Sequence, residues 1–175
     1  ALCGGDFAGA IAAGNPVIAK GHPSHPETCQ RIALCAAKAL ASCGLDDSIV
    51  QFFQHCAPED GLALIGHDRV KAVAFTGSRR SGLAIKDAAD RCGTPAYLEM
   101  SSVNPVFFLP GATSTESAQE WAGSITLGGG QFCTKPGLAF TCSRSFANEV
   151  KSALEGLGDA IQLTGDHTDL IDRFT

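Results

Sequence analysis

"AVAFTGSRRSGLAIKDAADRCGTPAYLEM", residues 72–100, holds two short apolar runs on either side of one amphipathic segment. "AVAFT" at 72–76 reads as a strand, and "AYLEM" at 96–100 as another. Between them Ile85, Ala88, Ala89 and Cys92 recur at the three-and-four spacing of one helical face, so a helix is expected from near Ser78. Strands that alternate with helices of this length return to one sheet as parallel neighbours, through right-handed crossovers. This stretch therefore places the chain in the α/β class.

The same rhythm extends in both directions. Upstream, "PVIAK" at 16–20 and "IVQFF" at 49–53 read as strands. The helix between them opens on Pro26, carries Ile32, Cys35, Ala36, Ala39, Leu40 and Cys43 on its inner face, and stops at Gly44. "PEDGLALIGH" at 58–67 reads as a short helix. Downstream, "PVFFLP" at 105–110 is a strand, and Thr113 with Glu116 has the form of a capping box. The helix it opens buries Ala118, Trp121, Ala122 and Ile125 and runs into Gly128-Gly129-Gly130. "GLAFTC" is a further strand, followed by a helix with Phe146, Val150, Ala153, Leu154 and Leu157 on one face, ended by Gly158. Residues 1–100 are thus expected to form an open, mostly parallel sheet flanked by helices, of the nucleotide-binding kind. Residues 101–175 begin a second α/β domain, with the boundary near 100–104.

Composition limits the function classes. The 175 residues are 45% hydrophobic, enough for a core in one domain or parts of two. The net charge is -5 with no Lys/Arg stripe, which argues against nucleic acid as a partner. No apolar run approaches the roughly 20 residues of a membrane span, and "ALCGGDFAGAIAAG" lacks the basic start of a signal peptide. The expectation is a soluble, cytoplasmic protein. The five histidines, His22, His25, His55, His67 and His167, show no metal-pair spacing, so no metal site is expected.

Eight cysteines, Cys3, Cys29, Cys35, Cys43, Cys56, Cys92, Cys133 and Cys142, are scattered without a Cys-x-x-Cys pair. Most are expected to be reduced and buried, acting as small hydrophobes. Cys133 stands apart, because "GGGQFCTKPG" at 128–137 sets it after three glycines and two residues before Lys135. Such a loop can display a thiolate and offer backbone N–H groups to a developing oxyanion, although glycine-rich turns also adjoin cysteines for structural reasons. Glu99 ends an otherwise apolar strand, where a carboxylate needs a partner or a task; desolvated, it would suit a general base, and pointed into water it would be unremarkable. Gly77 and Ser78 lie where a strand turns into a helix, a position that presents amides to phosphate or simply caps a helix. Lys20 ends the first strand, where it either reaches a ligand or is solvated.

Four stretches in order, "VIAKGHPSHP", "AFTGSRRSG", "YLEMSSVNPVF" and "GGGQFCTKPG", closely resemble the aldehyde dehydrogenase superfamily across nearly the whole chain. The variants "KGHPSHP", "EMSSVNPVF" and "GQFCTKPG" are most similar to the branch that oxidises 2-oxoglutarate semialdehyde, also called 2,5-dioxovalerate. The resemblance implies a Rossmann-like nucleotide-binding domain over 1–100 and the start of a catalytic domain over 101–175. It implies that Cys133 attacks the aldehyde to give a thiohemiacetal, that hydride leaves for NADP or NAD, and that Glu99 activates water to hydrolyse the thioester. Lys20 matches the lysine at the adenosine ribose, with His22 and Pro23 in the same segment, and Gly77 and Ser78 match the turn against the pyrophosphate. Many NAD-preferring members carry a glutamate where this chain has Pro23, so NADP is expected to be accepted.

The family's oxyanion-hole asparagine and its Glu-x-Phe-Gly-Pro segment do not occur in this sequence. The chain is therefore expected to be the middle of a longer polypeptide, whose parent forms a homo-dimer or homo-tetramer and takes a small-molecule aldehyde. The competing expectations are a catalytically inactive fragment or pseudoenzyme that keeps nucleotide binding, and a thiol-dependent esterase.

Overall fold

The computed structural model describes residues 4–157. The chain divides into two compact units, one of residues up to Thr76 with Arg80–Glu99, the other of Gly77–Arg79 with Met100 onward. The division leaves the turn after the third strand with the second unit, and otherwise falls at the end of "AYLEM".

In the first unit a short helix, α1 (Gly5–Ala12), precedes β1 (Val17–Lys20), α2 (Pro26–Ser42), β2 (Val50–Phe53), α3 (Pro58–Ile65), β3 (Val73–Gly77), α4 (Arg79–Cys92) and β4 (Ala96–Met100). β1 and β2 run parallel, in a register that sets Lys20 opposite Phe53. β3 pairs with β4. Proline opens both α2 and α3, where its missing N–H costs nothing. A short 3-10 turn, Asp47–Ile49, is capped by Asp46, whose carboxylate accepts the Ser48 N–H at 2.8 Å. Hydrogen bonds from the Ser48 hydroxyl and then its backbone N–H hold the Asp46 carboxyl below its ordinary value of 3.8.

The core of this unit gathers Ile65, Ala88 and Ala89, with Leu62, Val73, Ile85 and Ala96 packed against them. Ala89 is fully buried, so the face read from Ile85, Ala88 and Ala89 is the one that packs. Small side chains here let α4 approach its neighbours closely.

In the second unit β5 (Pro105–Phe108), α5 (Thr115–Thr126), β6 (Leu138–Thr141) and α6 (Arg144–Glu155) form one strand–helix–strand–helix layer pair. β5 and β6 are parallel, with Phe107 opposite Phe140. α5 packs on α6. Ala118, Ala122 and Phe146 are buried, and the Phe108 ring lies 4.7 Å from that of Phe146 and edge-on to Trp121 at 6.3 Å. Burying the Phe146 side chain contributes about 2–3 kcal/mol. Serines start both helices: Ser114 accepts the Ser117 N–H, and Ser143 the Phe146 N–H.

Among the described residues the strands pair as β1-β2, β3-β4 and β5-β6, within the expected α/β class. Local expectations are corrected. The N-cap of α5 is Ser114 and not Thr113, because its hydroxyl is the one placed to reach the third residue on. On α2 the inward face runs through Cys29, Ile32, Ala33, Ala36, Ala37 and Leu40, while Cys35, Ala39 and Cys43 are exposed. Alanines on both sides of the helix fit two registers equally well, so apolar spacing alone does not choose between them.

None of the seven described cysteines is buried: Cys29 and Cys56 are partly covered, and Cys35, Cys43, Cys92, Cys133 and Cys142 are exposed. Cys92 ends α4 and Cys43 follows α2, where the chain is already turning away from the packed face. α6 ends at Glu155, with Gly156 following and Leu157 exposed. Gly158, Cys3 and His167 lie outside the described residues.

Candidate active site

The sequence places candidate residues in both units, and each group has its own local architecture. Lys20 is the last residue of β1, on the exposed side, and its Nζ donates to the Gly21 carbonyl at 2.8 Å. The chain then makes a compact turn. The Gly21 N–H donates to the Phe53 carbonyl at 2.8 Å, continuing the β1-β2 ladder by one bond. A Cβ on Gly21 would lie 3.0 Å from Gln54 Oε1 and 3.1 Å from the Phe52 ring, so the turn closes tightly over β2.

His22 donates its backbone N–H to Cys29 Sγ at 3.5 Å, and its Nδ1 accepts the Ser24 N–H at 3.2 Å. Its ring lies 5.9 Å from that of His25. Pro23 is exposed in the middle of this turn. Lys20, His22 and Pro23 thus form one surface at the carboxyl end of a parallel strand, the end at which open α/β sheets take ligands.

Gly77 is the last residue of β3 and Ser78 precedes Arg79, the first residue of α4. The first turn of α4 contains no carboxylate and begins with Arg79 and Arg80. A helix start with two arginines and no acidic side chain in its first turn has a chemistry suited to an anionic phosphate group. Within this turn that chemistry fits a phosphate group; Lys20, at the end of β1, offers an ammonium group of its own.

Glu99 is the fourth residue of β4, where alternation turns Leu98 and Met100 inward and Tyr97 and Glu99 outward. Its side chain is exposed, on the solvent side of the strand, the second of the two readings open from the sequence. A carboxylate on the solvent side of a strand is available as a base without any cost of burial.

Cys133 belongs to the second unit and stands at the tip of an irregular loop. After α5, Gly128, Gly129 and Gly130 adopt φ of 61°, 72° and 71°, three successive left-handed residues that only glycine takes readily. A Cβ on Gly128 would run into the Phe132 ring, and one on Gly130 would lie 3.1 Å from the Ile125 carbonyl oxygen. The Lys135 N–H then donates to the Phe132 carbonyl at 3.1 Å, making Cys133 and Thr134 the two central residues of a tight turn. That position exposes Cys133.

The loop is fastened to the segment before β5. Asn104 Nδ2 donates to the carbonyls of Cys133 at 2.8 Å and Lys135 at 2.9 Å. The Gly137 N–H donates to the Val103 carbonyl at 3.0 Å. Asn104 was not among the residues singled out by the sequence reading. Its trace there is the Asn-Pro pair of "SSVNPVF", a turn-forming combination whose loop partner is invisible without the fold.

Together these features define an α/β protein whose strands end in short turns and which displays a thiol on a glycine loop. The aldehyde dehydrogenase family model matches residues 1–168, and the chain belongs to that family. It is 40% identical over 142 residues to alpha-ketoglutaric semialdehyde dehydrogenase 2 of Azospirillum brasilense, covering 78% of this chain and 27% of that protein. A solved gamma-glutamyl-gamma-aminobutyraldehyde dehydrogenase from Burkholderia cenocepacia superposes with a TM-score of 0.70 at 30% identity, covering 84% of this chain and 30% of the other. A solved indole-3-acetaldehyde dehydrogenase complexed with NAD+ has a TM-score of 0.69 at 27% identity, over 84% of this chain and 30% of its own. The fold is accordingly the Rossmann-like α/β fold of these enzymes. The chain spans about a quarter of the length of the curated relatives it matches.

Proposed function

We propose that this chain supplies the nucleotide-binding turns and the nucleophile of an NAD(P)-dependent aldehyde dehydrogenase, with 2-oxoglutarate semialdehyde or a closely related aldehyde as substrate. The observation that carries the reading is the display of Cys133 on a tight, glycine-led turn within a chain of this family. The first unit acts as the nucleotide-binding domain and the second as the beginning of the catalytic domain. The similarity to an alpha-ketoglutaric semialdehyde dehydrogenase supports the substrate class.

In this reading Lys20 and the turn through His22 and Pro23 hold the adenosine ribose, and the N–H groups at Gly77 and Ser78 face the pyrophosphate. The thiolate of Cys133 adds to the aldehyde carbon, giving a thiohemiacetal whose oxygen takes the negative charge. When bound, the nicotinamide accepts the hydride that leaves this carbon. Collapse of the oxyanion gives a thioester on Cys133. Glu99 takes a proton from water, which attacks the thioester carbonyl and releases the carboxylic acid and the Cys133 thiolate. The sum is aldehyde, oxidised cofactor and water giving acid, reduced cofactor and a proton.

The test is absorbance of reduced cofactor when the full-length protein receives NADP or NAD with a panel of aldehydes that includes 2-oxoglutarate semialdehyde. Cys133→Ser is expected to remove turnover, because an alcohol of much higher pKa replaces the thiolate. Turnover that survives this change would sink the assignment of the nucleophile.

A further inference from the structure

We propose that Asn104 is a positioning residue for the catalytic thiol, setting the backbone from which Cys133 projects; this rests on the reading of Cys133 as nucleophile. Its carboxamide has two N–H donors, and Nδ2 spans the two sides of the turn by donating to the Cys133 carbonyl at 2.8 Å and the Lys135 carbonyl at 2.9 Å. The contact joins residues 29 and 31 positions apart in sequence, so it is a tertiary clamp and no part of the local turn. Both acceptors are main-chain oxygens. The thiol itself is left unengaged by Asn104, and what the amide fixes is the path of the chain through Cys133, Thr134 and Lys135.

Asn104 is built for this task at some cost to its own backbone. It is the one non-glycine residue with positive φ, 42°, among the described residues. Asparagine tolerates this region better than most side chains. Its backbone N–H donates to Ser102 Oγ at 3.1 Å, which stabilises the bend. The preceding residue supplies a second fastening, since the Val103 carbonyl accepts the Gly137 N–H at 3.0 Å. That approach is close enough that a Cβ on Gly137 would lie 2.9 Å from the same oxygen. Two adjacent residues therefore hold the nucleophile loop at three main-chain points.

The chemistry selects asparagine. Aspartate has the same shape but no donor, and would set a carboxylate against two carbonyl oxygens. Glycine accepts the left-handed backbone without strain and removes the donor. The two variants separate the hydrogen bonds from the backbone bend.

The experiment uses the full-length protein with Asn104→Asp, Asn104→Gly and Cys133→Ser. Three quantities are measured: kcat and KM for aldehyde and for NADP, and the rates of alkylation of Cys133 and Cys142 by iodoacetamide, resolved by peptide mass spectrometry. Misplacement of a nucleophile by an ångström lowers kcat by about ten- to a hundredfold, and both Asn104 variants are expected to fall in this range with KM for NADP within about twofold of the parent. Alkylation of Cys133 is expected to change by more than about threefold, and that of Cys142, also exposed in the same unit, to stay constant. A merely structural role would move both thiols and the cofactor KM together, and that result would overturn the proposal. So would parent-like kcat and Cys133 alkylation in either folded variant. Should the aspartate variant not fold, the glycine variant carries the same comparison. If Cys133→Ser retains turnover, the failure belongs to the nucleophile assignment; if Cys133→Ser is inactive and the Asn104 variants are parent-like, it belongs to Asn104 alone.

Discussion

Glu99 and Cys133 are both exposed, and at the scale of single residues this sets what each can do. Glu99→Gln keeps the shape and removes the base. The expected result in the full-length protein is a preserved burst of reduced cofactor followed by a slowed steady state, since deacylation alone needs the proton acceptor. An unchanged steady-state rate in stopped-flow absorbance would take Glu99 out of the mechanism. The sequence made both residues visible for different reasons. Cys133 was marked by its three glycines, and Glu99 by its position in an apolar run; the run left its side open, because a strand has two faces and "AYLEM" alternates between them. Asn104 was invisible as a site residue because its meaning lies entirely in two carbonyls about thirty positions away.

At the scale of elements, local chemistry was readable wherever it is punctuated. Pro26 and Pro58 open α2 and α3 as expected, and Gly44 takes its left-handed place after α2. The cap of α5 was misread by one residue because Thr113 and Ser114 are both good caps and only the backbone path decides between them. α1 was missed because "GDFAGAIA" mixes glycine and alanine without a clear apolar face, and the structure buries none of its residues. The glycine turn before Cys133 makes the sharpest prediction at this level. Gly128→Ala must force a side chain into left-handed backbone and against the Phe132 ring, and is expected to destabilise by about 1–2 kcal/mol from the backbone alone. Gly123→Ala, in α5 with open space around its Cβ position, is the matched control and is expected to be neutral or stabilising by about 0.5–1 kcal/mol. Thermal unfolding of the two variants checks the contrast, and equal midpoints would show that the turn relaxes without strain.

At the scale of the whole molecule, the α/β class and the order of strands and helices were legible because hydrophobic period changes from two to three-and-four along the chain, while strand neighbours were not. Pairing is a long-range property, and among the described residues it joins β1 to β2, β3 to β4 and β5 to β6. Cofactor choice also belongs here, because the net charge of -5 repels an added phosphate at long range. That repulsion is screened beyond about 8 Å in physiological salt, so groups close to the added phosphate outweigh it. NADP is expected to bind the full-length protein at least as well as NAD, and Pro23→Glu to shift the ratio toward NAD. Fluorescence titration giving NAD an advantage of about tenfold, or 1.4 kcal/mol, would defeat this expectation. Finally, an oxidant meeting this chain finds five thiols open to solvent among the described residues, Cys35, Cys43, Cys92, Cys133 and Cys142. Access alone therefore does not single out Cys133. Replacing Cys35, Cys43, Cys92 and Cys142 together by serine is expected to slow the growth of disulfide-linked aggregates while leaving Cys133 open to oxidation.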